Sequence, residues 1–159
     1  METSIERGTP EMKIKYLHTM VRISNIEESL QFYSHILGMK EIRRYDNDKG
    51  RFTLIFLAAS DDADSAKENL PPLLELTYNW DSENYTSGRN FGHLAFAVDN
   101  IYDFCHRLIA KGVEINRPPK DGRMAFIKSP DGISIELLQK GDALELQEPW
   151  ISMKNSGTW

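Results

Sequence analysis

Cysteine is nearly absent from this chain: Cys105 is the single example among 159 residues. No intrachain disulfide can form, which points to a reducing compartment, with the cytoplasm as the expected location. Long apolar runs are missing too. The longest, Leu54 to Ala59, falls far short of what a bilayer requires, and residues 1–13 lack the apolar core of a signal peptide. No glycine-rich phosphate loop offers a cradle to a nicotinamide or flavin nucleotide. Positive charge is in deficit, since 19 Lys and Arg against 24 Asp and Glu leave a net charge of −5. Nucleic acid and anionic membrane are therefore poor partners, although local Arg or Lys could still hold a small anion. The composition, 40% hydrophobic and 27% charged, suits a soluble globular chain long enough to bury a core unaided.

What is present is an order of elements that occurs twice. "YLHTMVRIS" (16–24) reads as a strand, and "NIEESLQFYSHILGM" (25–39) as a helix with Asn25 as cap, Glu28 as capping-box partner and Gly38 as stop. Strands over 51–58 and 71–78 follow, separated by an acidic stretch expected to be a solvated loop. Then "GHLAFAV" (92–98) reads as a strand and 99–112 as a helix, with Asp99 available as cap and Gly112 as stop. "VEIN" (113–116), "GRMAFIKS" (122–129) and "GISIELLQ" (132–139) supply three more strands, with the turn signal "SPDG" before the last. His18 is followed seven residues later by Asn25-Ile26, and His93 seven residues later by Asn100-Ile101. The pattern predicts an α+β fold of two tandem βαβββ modules, about 14–80 and 90–140, forming one curved sheet. Residues 1–13 make an N-terminal extension, and a tail, 141–159, carries Trp150 and Trp159.

Each half closes on an apolar strand broken by one carboxylate: Glu75 in "LLELT" and Glu136 in "SIELL". A charged Glu inside an apolar strand is costly unless it is paired or bound to a metal. Singly, such a Glu can face water and a lone His can be structural. Together, one His on the first strand and one Glu on the last strand of each half look like a ligand set. If the modules pair, His18, Glu75, His93 and Glu136 can converge on the concave side of the sheet. Two imidazoles and two carboxylates suit nickel, zinc, cobalt or iron better than magnesium or calcium. Arg22 lies four residues after His18, Asn79 four after Glu75 and Arg89 four before His93. An offset of four keeps a strand face, about 13 Å along it, so a cationic and amide ring could surround the metal. His35, His106 and Cys105 read as surface or packing residues.

"LHTMVRISNIEESLQFYSHILGMK", "LLELTYNW", "GRNFGHLAFAV" and "FIKSPDGISIELL" resemble glyoxalase I, the lactoylglutathione lyases of the vicinal-oxygen-chelate superfamily, over about residues 14–140. The resemblance implies a homodimer with active sites between modules at the subunit interface. It implies His18, Glu75, His93 and Glu136 as ligands of one divalent metal per site, Ni2+ or Zn2+. Arg22, Asn79 and Arg89 would hold the glutathione moiety, with Lys120 and Arg123 in the loop 117–124 as further candidates. The implied substrate is the hemithioacetal of methylglyoxal and glutathione, isomerised to S-lactoylglutathione, with Glu136 as principal base and Glu75 serving the opposite face or the returning proton. Three rivals stand beside it. A ring-cleaving dioxygenase would use only three ligands, an acyl-CoA epimerase would not call for "ELTYNW" with Arg22 and Arg89, and a metal-free binding module would have no use for four.

Overall fold

The computed structural model describes residues 12–86 and 88–159. Most of the expected extension, 1–11, lies outside the described residues. Seven strands and two helices follow in the order β1 (His18–Ile23), α1 (Ile26–Leu30), β2 (Lys40–Asn47), β3 (Phe52–Ala58), β4 (Leu73–Asn79), β5 (His93–Val98), α2 (Ile101–Ala110), β6 (Met124–Lys128) and β7 (Ser134–Gln139). They form two sheets, one per module. The first has the order β1-β4-β3-β2 and the second β5-β7-β6. In each, the opening strand runs parallel to the closing one: β1 pairs with β4, and β5 with β7.

Strand alternation then sorts every side chain onto one of two faces. Val21, Ile23, Ile55, Leu57, Leu74 and Leu76 of the first sheet are buried in a core shared with Ala125, Ile127, Ile135 and Leu137 of the second. The helical side chains Phe32, Tyr33, Ile36, Tyr102, Cys105 and Leu108 join the same core. The alternate residues, including both Glu and both His, therefore face away from the helices. Glu75 stands between Leu74 and Leu76 because odd and even positions of that strand serve different faces.

Both helices begin on an asparagine. Asn25 Oδ1 accepts from the Glu28 N–H at 2.9 Å, and Asn100 Oδ1 from the Asp103 N–H at 3.0 Å. Asp99, the expected cap, instead receives Lys140 Nζ at 2.8 Å. Gly38 and Gly112 leave each helical segment at φ +88° and +80°, a region that a side chain disfavours. The first helix is α-helical for only five residues and continues as a π-helix over Gln31–Ile36. Its wider turn buries Phe32, Tyr33 and Ile36 together.

Two strands differ from the expectation. β2 carries the sequence KEIRRYDN with almost every side chain exposed, so no apolar alternation marks it. "VEIN" forms no strand: only Arg117 bridges to Phe126, because Pro118 and Pro119 follow and have no N–H with which to extend a ladder.

The modules are joined by polar ties as well as by the core. Arg107 Nη2 donates to the Ile36 carbonyl at 2.6 Å, and the Ser24 N–H donates to Asp131 Oδ1 at 3.1 Å. The tail is ordered across the second module. The Leu144 N–H donates to the Gly122 carbonyl at 3.0 Å, and a Cβ on Gly122 would meet the Leu144 oxygen at 2.2 Å. Trp150 is fully buried, its ring stacked on Tyr102 with centroids 5.9 Å apart. The Ser156 N–H then donates to the Asn116 carbonyl at 2.8 Å.

Candidate functional site

Strand register brings the four expected ligands together in pairs. On β1 and β4, Met20 lies opposite Glu75, so His18, two residues earlier on the same face, reaches over that carboxylate. His18 Nε2 lies 2.8 Å from Glu75 Oε2. On β5 and β7, Ala95 lies opposite Glu136, and His93 Nε2 lies 2.8 Å from Glu136 Oε2. The two carboxylate side chains are 11% and 15% exposed, against 39% and 43% for their imidazoles. Each acid is thus sunk in the sheet, with a ring over it.

A phenylalanine completes each pair. Phe56 is the β3 partner of Glu75, and Phe126 the β6 partner of Glu136. The rings meet the imidazoles edge-on, with His18–Phe56 centroids 5.6 Å apart at 80° and His93–Phe126 centroids 5.4 Å apart at 87°. Such contacts fix ring orientation and leave Nε2 aimed at the carboxylate. These phenylalanines escaped notice in the sequence because they look like ordinary core positions. Their signal is positional: each lies opposite the closing Glu of its own half.

The two pairs lie on different sheets. Among the described residues no group of three or more His, Cys, Asp or Glu side chains is placed to hold one ion. A single chain therefore presents two half-sites, each with one nitrogen and one oxygen donor. The donor set fits a transition ion: two imidazoles and two carboxylates, with paired donor atoms close enough to share a metal.

The expected substrate residues fall around these half-sites. Arg22, exposed on β1, is two residues along the His18 face from Met20. Asn79 ends β4, and its Oδ1 is buried without a partner among the described residues, as is Thr77 Oγ1 on the same face. Buried polar atoms are almost always satisfied, so these two call for a ligand or water. Arg89 is exposed just before β5, Lys120 is half-buried and Arg123 is exposed. The loop carrying the last two is held by Asp121, whose Oδ1 accepts from the Arg123 and Met124 N–H groups at 2.9 and 3.1 Å. Burial raises the Asp121 carboxyl, but these bonds and Arg117 outweigh it and hold the group below the ordinary carboxylate range.

Sequence reasoning missed two further residues. Arg43 lies with its guanidinium 4.0 Å from the centre of the Phe56 ring, and Thr77 carries the orphaned hydroxyl. Trp159, noted in the sequence as part of the aromatic tail, stacks on Phe126. His35 and His106 are exposed on their helices, and burial pushes the Cys105 thiol up to about 12, which removes it as a nucleophile.

The profile of the Glyoxalase/Bleomycin resistance protein/Dioxygenase superfamily matches residues 15–137. A lactoylglutathione lyase of Neisseria meningitidis is 45% identical over 132 residues, covering 80% of this chain and 91% of its own. Among solved structures, the trypanothione-dependent glyoxalase I of Leishmania major superposes with a TM-score of 0.71 at 33% identity, covering 80% of this chain and 88% of its own. Glyoxalase I from Zea mays gives a TM-score of 0.69 at 32% identity, over 80% of this chain and 45% of that one.

Proposed function

The chain belongs to the glyoxalase/bleomycin resistance protein/dioxygenase superfamily, and from that membership we infer an enzyme that isomerises the methylglyoxal–glutathione hemithioacetal to S-lactoylglutathione. Its activity is that of a lactoylglutathione lyase, metal-dependent and using glutathione. The observation that carries the reading is the repeated His-over-Glu pair, with both Nε2···Oε2 separations at 2.8 Å.

His18, Glu75, His93 and Glu136 are the proposed ligands, of nickel or alternatively zinc. A bound divalent ion would supply Lewis-acid stabilisation of charge on the substrate oxygens, worth several kcal/mol. The protein's own work is proton transfer and positioning. An ordinary Glu titrates near about 4.3 and is a weak base toward carbon, so the carbon acid must be acidified by its surroundings. Glu136 is the proposed principal base, taking the C1 proton, and Glu75 serves the opposite face or the proton returned to C2. No hydride leaves the substrate, so no nucleotide cofactor is called for. Arg22, Asn79 and Arg89, with Lys120 and Arg123 from the Asp121-pinned loop, would hold the carboxylates and amides of the thiol portion.

We assign the complete site to a homodimer. One chain offers two donors on each of two sheets, and the first half of one copy set against the second half of another would supply four. This symmetric exchange would generate two equal sites. The scarcity of cysteine favours the cytoplasm as location, and no helix among the described residues is long and apolar enough to cross a membrane.

The deciding assay strips the protein of metal with a chelator, mixes it with methylglyoxal and glutathione, and adds nickel or zinc in turn while thioester absorbance is followed. Absorbance should rise only after metal is added. A protein that binds the adduct but never turns it over, with metal content verified, would be a binding module instead.

A further inference from the structure

The two half-sites share a plan but not a lining. Facing outward beside His18 and Glu75 are Arg22, Thr77 and Asn79, and the guanidinium of Arg43 lies over the Phe56 ring at 4.0 Å. Beside His93 and Glu136 the equivalent strand positions are Ala95, Ala97, Leu138 and Met124. Stacked on the Phe126 ring is the indole of Trp159, with centroids 6.1 Å apart and planes at 28°. Beside the first pair the nearest side chains are polar and cationic. Beside the second they are apolar and aromatic, with Ser134 opposite His93 and Lys128 opposite Ser134 farther along the same face.

Trp159 reaches this place along a docked path. The tail is anchored at Gly122, at the buried Trp150 and at Asn116. It then crosses the exposed edge of β6, where Lys128 Nζ lies 3.4 Å from Thr158 Oγ1. Lys128 and Phe126 are two residues apart on β6 and share the face that carries Glu136, so both contacts of the tail fall on the ligand-bearing side. Trp159 remains 42% exposed, which leaves indole surface for a ligand. The tail lies beyond residues 15–137, the part that matches the superfamily profile.

We propose that Trp159, stacked on Phe126, is a specificity-determining residue: it forms an aromatic wall for the carbon substituent of the 2-oxoaldehyde and favours aryl over methyl substituents. The inference rests on the isomerase reading, because it leaves the charged thiol portion to the Arg, Lys and Asn side chains named above and gives the aldehyde's substituent to the aromatic surface on Phe126. An aryl group offered to an indole beside a phenylalanine gains offset or edge contacts that a methyl group cannot make.

The test compares the nickel-loaded parent chain with W159A and W159F, using the glutathione adducts of phenylglyoxal and methylglyoxal. The ratio of the two kcat/KM values is taken within each variant, so any loss of folded protein cancels. W159A should lower the phenyl-to-methyl ratio about fivefold, the scale of one aromatic contact, and W159F should restore most of it. Calorimetry with two unreactive thioethers adds a readout that needs no turnover. S-benzylglutathione should bind W159A about fivefold more weakly, while S-methylglutathione changes by less than about twofold. An unchanged ratio, or equal losses for both thioethers, would overturn the role of Trp159. A parent chain that turns over neither adduct would instead overturn the isomerase reading, leaving thioether binding to judge the wall.

Discussion

Glu136 and Glu75 occupy equivalent places, each opposite a phenylalanine and each under an imidazole at 2.8 Å. Near-symmetry of this kind suits a reaction that removes a proton at one carbon and returns it at the next. The surroundings nonetheless differ: beyond Glu75 lie the orphaned Thr77 hydroxyl and Asn79 carbonyl, whereas the side chain two residues beyond Glu136 is the apolar Leu138. Glu136→Gln keeps an oxygen acceptor for His93 but has no basic carboxylate, so turnover should fall about a hundredfold or more, the usual scale for a lost general base. Thermal melting should barely move. Near-normal turnover in a metal-replete variant would take the role of base away from Glu136. The residues that carry charge at the site were legible in the sequence because a carboxylate in an apolar strand is conspicuous. Phe56 and Phe126 were not, because an aromatic side chain looks the same in a core as beside a ligand, and Trp159 stood out only as part of an aromatic tail.

Among the elements, the loop 117–124 is pinned by a titrating group. Asp121 accepts two backbone N–H bonds and pairs with Arg117 at 3.1 Å, and its carboxyl is held low in the folded state. The unfolded chain therefore takes up the proton first, so this stabilisation is complete above the ordinary Asp value of about 3.9 and is lost as pH falls through the lower folded value. Asp121→Asn should melt at a lower temperature than the parent at neutral pH, and the two melting curves should converge below about pH 4. A gap that stays constant with pH would mean that the carboxylate is not what pins the loop. Element boundaries followed local chemistry where that chemistry is strong: Asn25, Gly38, Gly112 and "SPDG" all mark real ends. β2 was hidden because an edge strand clad in charge has no apolar period, and such cladding is how edges avoid pairing with other chains.

Across the whole molecule, the two His–Glu pairs lie on different sheets, and among the described residues no three such side chains are placed to hold one ion. Mixing His18→Ala chains with His93→Ala chains discriminates the arrangements. If sites form between copies, a mixed dimer unites one intact first half with one intact second half, and random exchange should recover about a quarter of parental activity from two inactive stocks. No recovery after verified subunit exchange would place each site within one chain. Periodicity, caps and paired motifs determined the two modules, most of their elements and the four candidate ligands from sequence alone, because these depend on neighbours within a few residues. Which Glu lies under which His, that the ligands come as two pairs, and that residues 158–159 return to the face of β6 were decided by tertiary structure. Strand register and the path of a docked tail depend on contacts between residues far apart in the chain, to which no local pattern is sensitive.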